Sequence, residues 1–312
     1  MSWFRANKKK MRSSLNQLYK VVGISKQAAH QYQIRQIEFD KKLSDLIVEV
    51  DELRSEHPGC GVEKMYSTLE PDFIGRDKFI ETFMSLGYRV KKIKNYYKTT
   101  IPVSYKYPNL IEGLVVSCEN MVWQSDITYF DVNGRFYYLV FLIDVYSRKI
   151  VGYAVSDHLR AEANIKALKM ALTGRSAPKI HHSDRGGQYI DNTYTNLLKE
   201  NGTNISMGLI AQDNAYAERL NGIIKNEYLK YKIINSFEDL KKETKKAVEH
   251  YNNKRIHGSL PNKLNPNHFE CLSENKDMIE IIYAQNRPKP KGSTSFWFDE
   301  IKKNDLICCI NN

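Results

Sequence analysis

No stretch of this 312-residue chain is apolar enough, over the roughly 18 residues a bilayer requires, to span a membrane. Its opening, Met1-Ser-Trp-Phe-Arg-Ala-Asn-Lys-Lys-Lys10, lacks the apolar segment of a secretory signal, so no export is expected. Cysteine is scarce and scattered. The five residues Cys60, Cys118, Cys271, Cys308 and Cys309 contain no C-x-x-C pair, which argues against a disulfide framework or a zinc ribbon and for reduced thiols in the cytoplasm. Acidic residues are also in deficit: 36 Asp and Glu face 47 Lys and Arg, a net charge of +11. That excess points to a polyanionic partner, most simply nucleic acid.

The excess is uneven. Residues 1–100 hold 19 Lys/Arg against 12 Asp/Glu, while residues 101–235 hold 15 against 13. The electrostatic handle is therefore N-terminal. Within residues 13–36, Leu15, Leu18, Tyr19 and Val22 have helical spacing, Gly23 breaks the pattern, and Ser25 can cap a second helix. That helix would present Lys26, Gln27, His30, Gln31 and Arg35, an arrangement like the helix-turn-helix that enters a DNA groove. Helical patterning continues to residue 98, broken at His57-Pro-Gly-Cys-Gly61. It ends in Arg89, Lys91, Lys92, Lys94 and Lys98 around Tyr96 and Tyr97, a mixture suited to a phosphate backbone. Residues 1–98 thus read as an all-α DNA-binding region, and residues 99–113, with Pro102 and Pro108, as an extended linker.

Residues 114–232 change character. Val122–Phe130, Phe136–Asp144 and Lys149–Ser156 read as a three-stranded meander, rich in β-branched and aromatic residues. A helix at Ala161–Leu172, a strand at Lys179–His182, a helix near Thr193–Asn201, a strand at Asn204–Ser206 and a helix from Asn214 to about Leu229 follow. The order βββαβαβα defines an α/β domain of the ribonuclease-H-like type. Residues 233–312 would add a helix opened by Ser236-Phe-Glu-Asp239 and a tail without clear periodicity.

Three acids acquire meaning from this order. Asp126 lies in the first strand, Asp184 just past the fourth, and Glu218 in the first turns of the last helix. Central neighbouring strands would bring the first two together, with Glu218 facing the same edge. Such a cluster is repulsive without a cation, and Mg2+ or Mn2+ resolves it through hard oxygen ligands. Two ions together can drive in-line displacement at a phosphodiester without a histidine base. Asn221 and Lys225 follow Glu218 at i+3 and i+7 and share its helix face, within reach of DNA. The remaining polar residues read more plainly: Asp144 paired with Arg148, Glu227 on the surface, His181 and His182 alternating in a strand as packing or surface groups.

At these residues the chain resembles the second-frame (OrfB) transposases of the IS3 family of bacterial insertion sequences, within the DDE transposase and retroviral integrase superfamily. The resemblance is carried by Gly87-Tyr-Arg-Val-Lys-Lys92, Trp123-Gln-Ser-Asp126-Ile-Thr-Tyr129, Ile143-Asp-Val-Tyr-Ser-Arg148, and His181-His-Ser-Asp184-Arg-Gly-Gly-Gln-Tyr189. It continues through Asp213-Asn-Ala-Tyr-Ala-Glu218, Lys225-Asn-Glu227 and Tyr251-Asn-Asn-Lys-Arg255-Ile-His257. It implies that Asp126, Asp184 and Glu218 are the catalytic metal ligands for two ions. It also implies cleavage at the ends of a mobile element and joining of the freed 3′-hydroxyl to target DNA. The implied partners are terminal inverted repeats, target duplex, further copies of the chain, and an upstream-frame protein, separate or joined to it by frameshifting. The setting would be the bacterial cytoplasm, at the nucleoid. Thirty-three residues separate Asp184 from Glu218, two fewer than the family motif, and the contraction falls in Met207–Gln212. Two other readings compete: a DNA-binding regulator with an inactive catalytic domain, and a ribonuclease H-type nuclease.

Overall fold

The structure is a computed structural model that describes residues 14–90, 107–208, 211–272 and 281–282. It divides into one unit of Met1–Glu56 with Gly61–Arg89 and a second of His57–Cys60 with Val90–Asn312.

In the first unit, Ser14 and Gln17 form a reciprocal capping box that starts α1 (Leu15–Val22). Gly23 ends it at φ +70°, a left-handed conformation that costs glycine little. The Ser25 hydroxyl then accepts from the Ala28 amide at 3.0 Å, and α2 runs over Lys26–Glu56. The turn falls where the sequence indicates, and α2 runs unbroken for 31 residues up to the break expected at His57–Gly61. α3 (Val62–Leu69) and α4 (Arg76–Ser85) follow. Leu46 and Val50 of α2, Met65 of α3, and Phe79 and Phe83 of α4 are buried. The Arg54 guanidinium donates to the Tyr88 carbonyl at 2.9 Å, tying α2 to the chain beyond α4.

The second unit is built on a five-stranded sheet. After a two-residue strand β1 (Val115–Val116) come β2 (Val122–Val132), β3 (Arg135–Asp144) and β4 (Ile150–Ser156). They form an antiparallel meander whose first turn uses Asn133 and Gly134 at φ +53° and +82°, the pair a tight hairpin favours. α5 (Ala161–Leu172) leads to β5 (Ile180–Ser183), which returns parallel to β2. α6 (Asn192–Glu200) leads to β6 (Asn204–Met207), parallel to β5. The spatial order is β4-β3-β2-β5-β6. This is a mixed sheet of the ribonuclease-H-like type.

The period of two along β3 explains why both faces are covered. Leu139, Phe141 and Ile143 face a core shared with α7 (Ala215–Ile223) and α8 (Phe237–Asn253), whereas Val140 and Leu142 face α5 and α6. On the α5 side, a Cβ at Gly152 would lie 2.2 Å from the Ala167 carbonyl oxygen, so only glycine lets the helix approach this closely. α8 contributes Leu240, Ala247, Val248 and Tyr251 to the other core, and the packed unit continues past residue 232.

The segment read as a linker is partly packed. Ile111 and Leu114 are buried in a third cluster with Val122, Tyr146, Leu260 and Phe269, and the Leu110 amide donates to Ser206 Oγ at 2.9 Å. Its first residues, up to 106, lie outside the described residues. The tail also has structure: an Asn265-capped helix α9 (Pro266–Cys271), and a strand β7 (Ile281–Ile282) antiparallel to β1. Glu270 of α9 is held by Arg175 at 2.8 Å and Lys149 at 2.5 Å. Among the described residues, no helix is long and apolar enough to cross a membrane.

Candidate active site

Parallel register sets the first two acids side by side. Ser125 of β2 pairs with Ser183 of β5, and each strand carries its carboxylate on the next residue, Asp126 and Asp184. Local amides orient both. The Ile127 N–H donates to Asp126 Oδ1 at 2.9 Å, and the Gly186 N–H to Asp184 Oδ1 at 3.0 Å. Asn221 of α7 donates from Nδ2 to Asp126 Oδ2 at 2.8 Å, so helix and strand are joined at the site.

Glu218 reaches this edge because α7 is fastened to β2. Gln124, fully buried and two residues before Asp126, lies on the same strand face. Its Nε2 donates to the Asp213 carbonyl at 3.0 Å, and its Oε1 accepts from the Tyr216 amide at 3.1 Å and the Ala217 amide at 3.4 Å. Asn214 returns the contact, donating from Nδ2 to the Ser125 carbonyl at 2.8 Å. A strand side chain thus satisfies amides that a helix start leaves without intrahelical partners. The sequence reading missed Gln124, although its period-two relation to Asp126 was available.

The electrostatics bind the three acids into one cluster. Burial, then the charges of Asp184 and Glu218, push the Asp126 carboxyl up to about 7, against the lowering effect of the Ile127 amide and Asn221. Burial raises Asp184. Burial and the Asp184 charge raise Glu218. Lys225 is half-buried with its Nζ 5.1 Å from the centre of the Tyr129 ring. Burial and Lys230 lower its pKa, while Asp126 opposes the shift. Beneath the acids, Ser125 Oγ and Tyr189 OH lie 2.9 Å apart.

Among the described residues, no group of three His, Cys, Asp or Glu side chains is drawn together closely enough to hold a metal ion. The donor set nonetheless suits a hard divalent cation: burial raises all three carboxyls, and the charge of Asp184 adds to the rise of Asp126 and Glu218, a repulsion that a cation would relieve.

The other residues singled out in the sequence fall as follows. Lys26, Gln27, Arg35 and Arg89 are exposed in the first unit, and Lys91, Lys92 and Lys94 lie outside the described residues. Asp144 does not take Arg148 as its ion-pair partner. Its carboxylate accepts the amides of Asn120 (2.7 Å) and Ser147 (2.8 Å), while the Arg148 guanidinium stacks over Tyr216 and bonds the Val145 carbonyl. The reason is local, since four-residue spacing across a tight turn at Arg148 (φ +64°) favours backbone donors. His181 and His182 are both fully buried, because each sheet face carries a helix layer. They meet Tyr194 OH and Ser206 Oγ, each at 2.8 Å. Glu227 is no solvated surface charge: it pairs with Arg255 and His57.

An ordered α/β sheet with two strand-borne acids and a helix-borne third defines a class of nucleic-acid phosphoryl-transfer domains, and the relatives are of that class. Two models described as the integrase core domain match residues 116–211 and 204–266. The 31 kDa protein of insertion element IS600 from Shigella sonnei is 30% identical over 259 residues, covering 78% of this chain and 93% of that one. The transposase of IS904 from Lactococcus lactis is 32% identical, covering 54% of this chain and 68% of its own. The transposase of IS629 from Shigella sonnei is 36% identical, with 44% and 47% covered. The chain belongs to the insertion-sequence transposases of the DDE transposase and integrase superfamily, enzymes that act on DNA.

Proposed function

We propose that Asp126, Asp184 and Glu218 hold two divalent cations, Mg2+ or Mn2+, against a DNA phosphodiester, and that the enzyme cleaves the ends of an insertion sequence and joins the 3′-hydroxyl to target DNA. The observation that carries this reading is the convergence of the three carboxylates on one sheet edge: paired strands carry Asp126 and Asp184 side by side, and α7, joined to Asp126 through Asn221 and to β2 through Gln124, carries Glu218. When bound, the cations supply activation of the attacking oxygen and stabilisation of the departing one. The chain's own residues orient the donors. Asn221 and the Ile127 amide fix Asp126, the Gly186 amide fixes Asp184, and the Gln124–Asn214 clasp holds α7 where Glu218 faces them. Lys225 brings a positive charge to the same edge, suited to a backbone phosphate.

In this reading the chain is a second-frame transposase of the IS3 group. It works as several copies on inverted repeats and target duplex, alone or fused to an upstream-frame protein, in the bacterial cytoplasm at the nucleoid. Residues 1–98 handle DNA, through Lys26, Gln27 and Arg35 and the Arg89–Lys94 cluster, and residues 114–232 carry the chemistry. Asp184→Asn and Glu218→Gln are each expected to reduce Mg2+-dependent cleavage of terminal-repeat DNA by about 100-fold or more, with duplex binding retained in a mobility-shift assay. Strand transfer at a near-normal rate in either variant would sink the assignment.

A further inference from the structure

Three parts of the sequence play no part in the carboxylate chemistry: the His57–Cys60 break, Glu227, and the Tyr251–His257 segment. They converge on one short stretch of backbone. Past Ile223 the chain leaves α-helical geometry and makes a π-turn over Ile224–Tyr228, followed by a tight turn at Leu229–Tyr231, where an unbroken helix to about Leu229 is expected from the sequence. A π-turn inserts one extra residue and alters the helix phase, and such turns are uncommon away from functional sites. Lys225 is the second residue of the turn, so the position of its ammonium depends on whatever holds the turn in shape.

The holding contacts are specific. Arg255 grips Glu227 with two parallel bonds, Nε to Oε2 at 3.0 Å and Nη2 to Oε1 at 3.1 Å. This is the bidentate geometry that makes guanidinium–carboxylate pairs directional. The side chains are 6% and 21% exposed, so removing one charge leaves the other poorly solvated. His57 Nε2 lies 2.8 Å from the same carboxylate, and its ring stacks on Tyr228 with centroids 4.5 Å apart. The Gly59 amide donates to the Glu227 carbonyl at 2.6 Å. A Cβ at Gly59 would stand 2.3 Å from Glu227 Cα, so this backbone-to-backbone approach requires glycine. Tyr228 OH meets His250 Nδ1 at 3.0 Å.

We propose that the Glu227–Arg255 pair, backed by His57 and Gly59, is a positioning device for Lys225. It holds the π-turn in the one shape that keeps the lysine ammonium beside Tyr129 at the edge of the carboxylate cluster. Glu227 and Arg255 face each other rather than the carboxylate cluster, and act through the lysine. The inference rests on the reading of Lys225 as a phosphate contact.

A double-mutant cycle on the full chain tests it. Glu227→Gln keeps the shape and removes the charge, and is expected to slow strand transfer about tenfold in the wild-type background but less than about twofold in a Lys225→Ala background. A merely structural role would give the same fold-loss in both backgrounds, and that result would overturn the proposal, as would a Lys225→Ala variant with unaltered transfer. Arg255→Lys, which keeps the charge and gives up the paired geometry, runs the same cycle if Glu227→Gln folds poorly. A second readout needs neither DNA nor metal: reductive methylation followed by mass spectrometry. Labelling of Lys225 should rise severalfold in Glu227→Gln, with distant lysines unchanged. Unchanged labelling at Lys225 rejects the device. A wild-type protein inactive on DNA would reject the functional reading instead, and the labelling result would still decide the proposal.

Discussion

Asp126 carries a cost that its neighbours impose. Its carboxyl titrates near 7 in the fold against 3.8 when unperturbed, so between about pH 4 and 7 the folded state binds more protons than the unfolded one. Stability contributed by this group is complete below about pH 4 and is lost as pH rises through about 7. Asp126→Asn is therefore expected to stabilise the metal-free protein above pH 7 by on the order of 2 kcal/mol, a gain that vanishes near pH 4. Thermal unfolding at the two pH values, with chelator present, checks this. An equal effect at both would show that the charge is not the cause. At this scale the three acids were legible in the sequence because each sits at a place defined by local pattern: mid-strand, strand end, first helical turn. Glu227 was not. Its partners Arg255 and His57 lie 28 and 170 residues away in sequence, and no local pattern announces a contact between segments so far apart.

Among elements, α5 is found over the residues the sequence indicates, Ala161–Leu172, because its apolar spacing and its packing face agree. The final helix of the order βββαβαβα was legible only in its first half. Its regular part ends at Ile223, where the contacts of Gly59, His57 and Arg255 outweigh local helical preference. Its start is equally a tertiary product, since Gln124 provides the cap from another element. Replacing Gln124 by Leu strands buried amides at Tyr216 and Ala217, and is expected to cost about 1–3 kcal/mol. The same change should weaken Mn2+ binding measured by calorimetry, because Glu218 would lose its fixed register. If Gln124→Leu lowered the melting temperature and left Mn2+ affinity untouched, the clasp would be a folding contact only.

The larger organisation shows where local pattern stops. The meander and the alternating helices predict the α/β architecture, and the spatial order of the strands agrees with it. Residues 107–113 and the stretch beyond Pro261 have weak patterning of their own, yet Ile111 and Phe269 are packed in one cluster; the helix expected from Ser236 is found at Phe237–Asn253 and lays Leu240, Ala247, Val248 and Tyr251 over one sheet face. Their placement comes from the surface they cover, which does not exist until the sheet has formed. A chain ending at residue 232 would expose that face, an apolar area larger than monomers normally present to water. It is expected to aggregate or to unfold without cooperativity, while a chain ending at residue 272 should keep a single sharp transition in calorimetry. Two equally sharp transitions would mean that α8 is dispensable to the core.

The Gln124 clasp also bears on how this family can vary. Gln124 grips α7 through main-chain groups, the Asp213 carbonyl and the amides of Tyr216 and Ala217. The location of Glu218 is thus measured from β2, across space, and not counted along the chain from Asp184. A connector between β6 and α7 that is two residues short changes the path without moving the destination. Evolution is free to lengthen or trim that connector, and to alter what it touches, while the spacing of the acids stays constant.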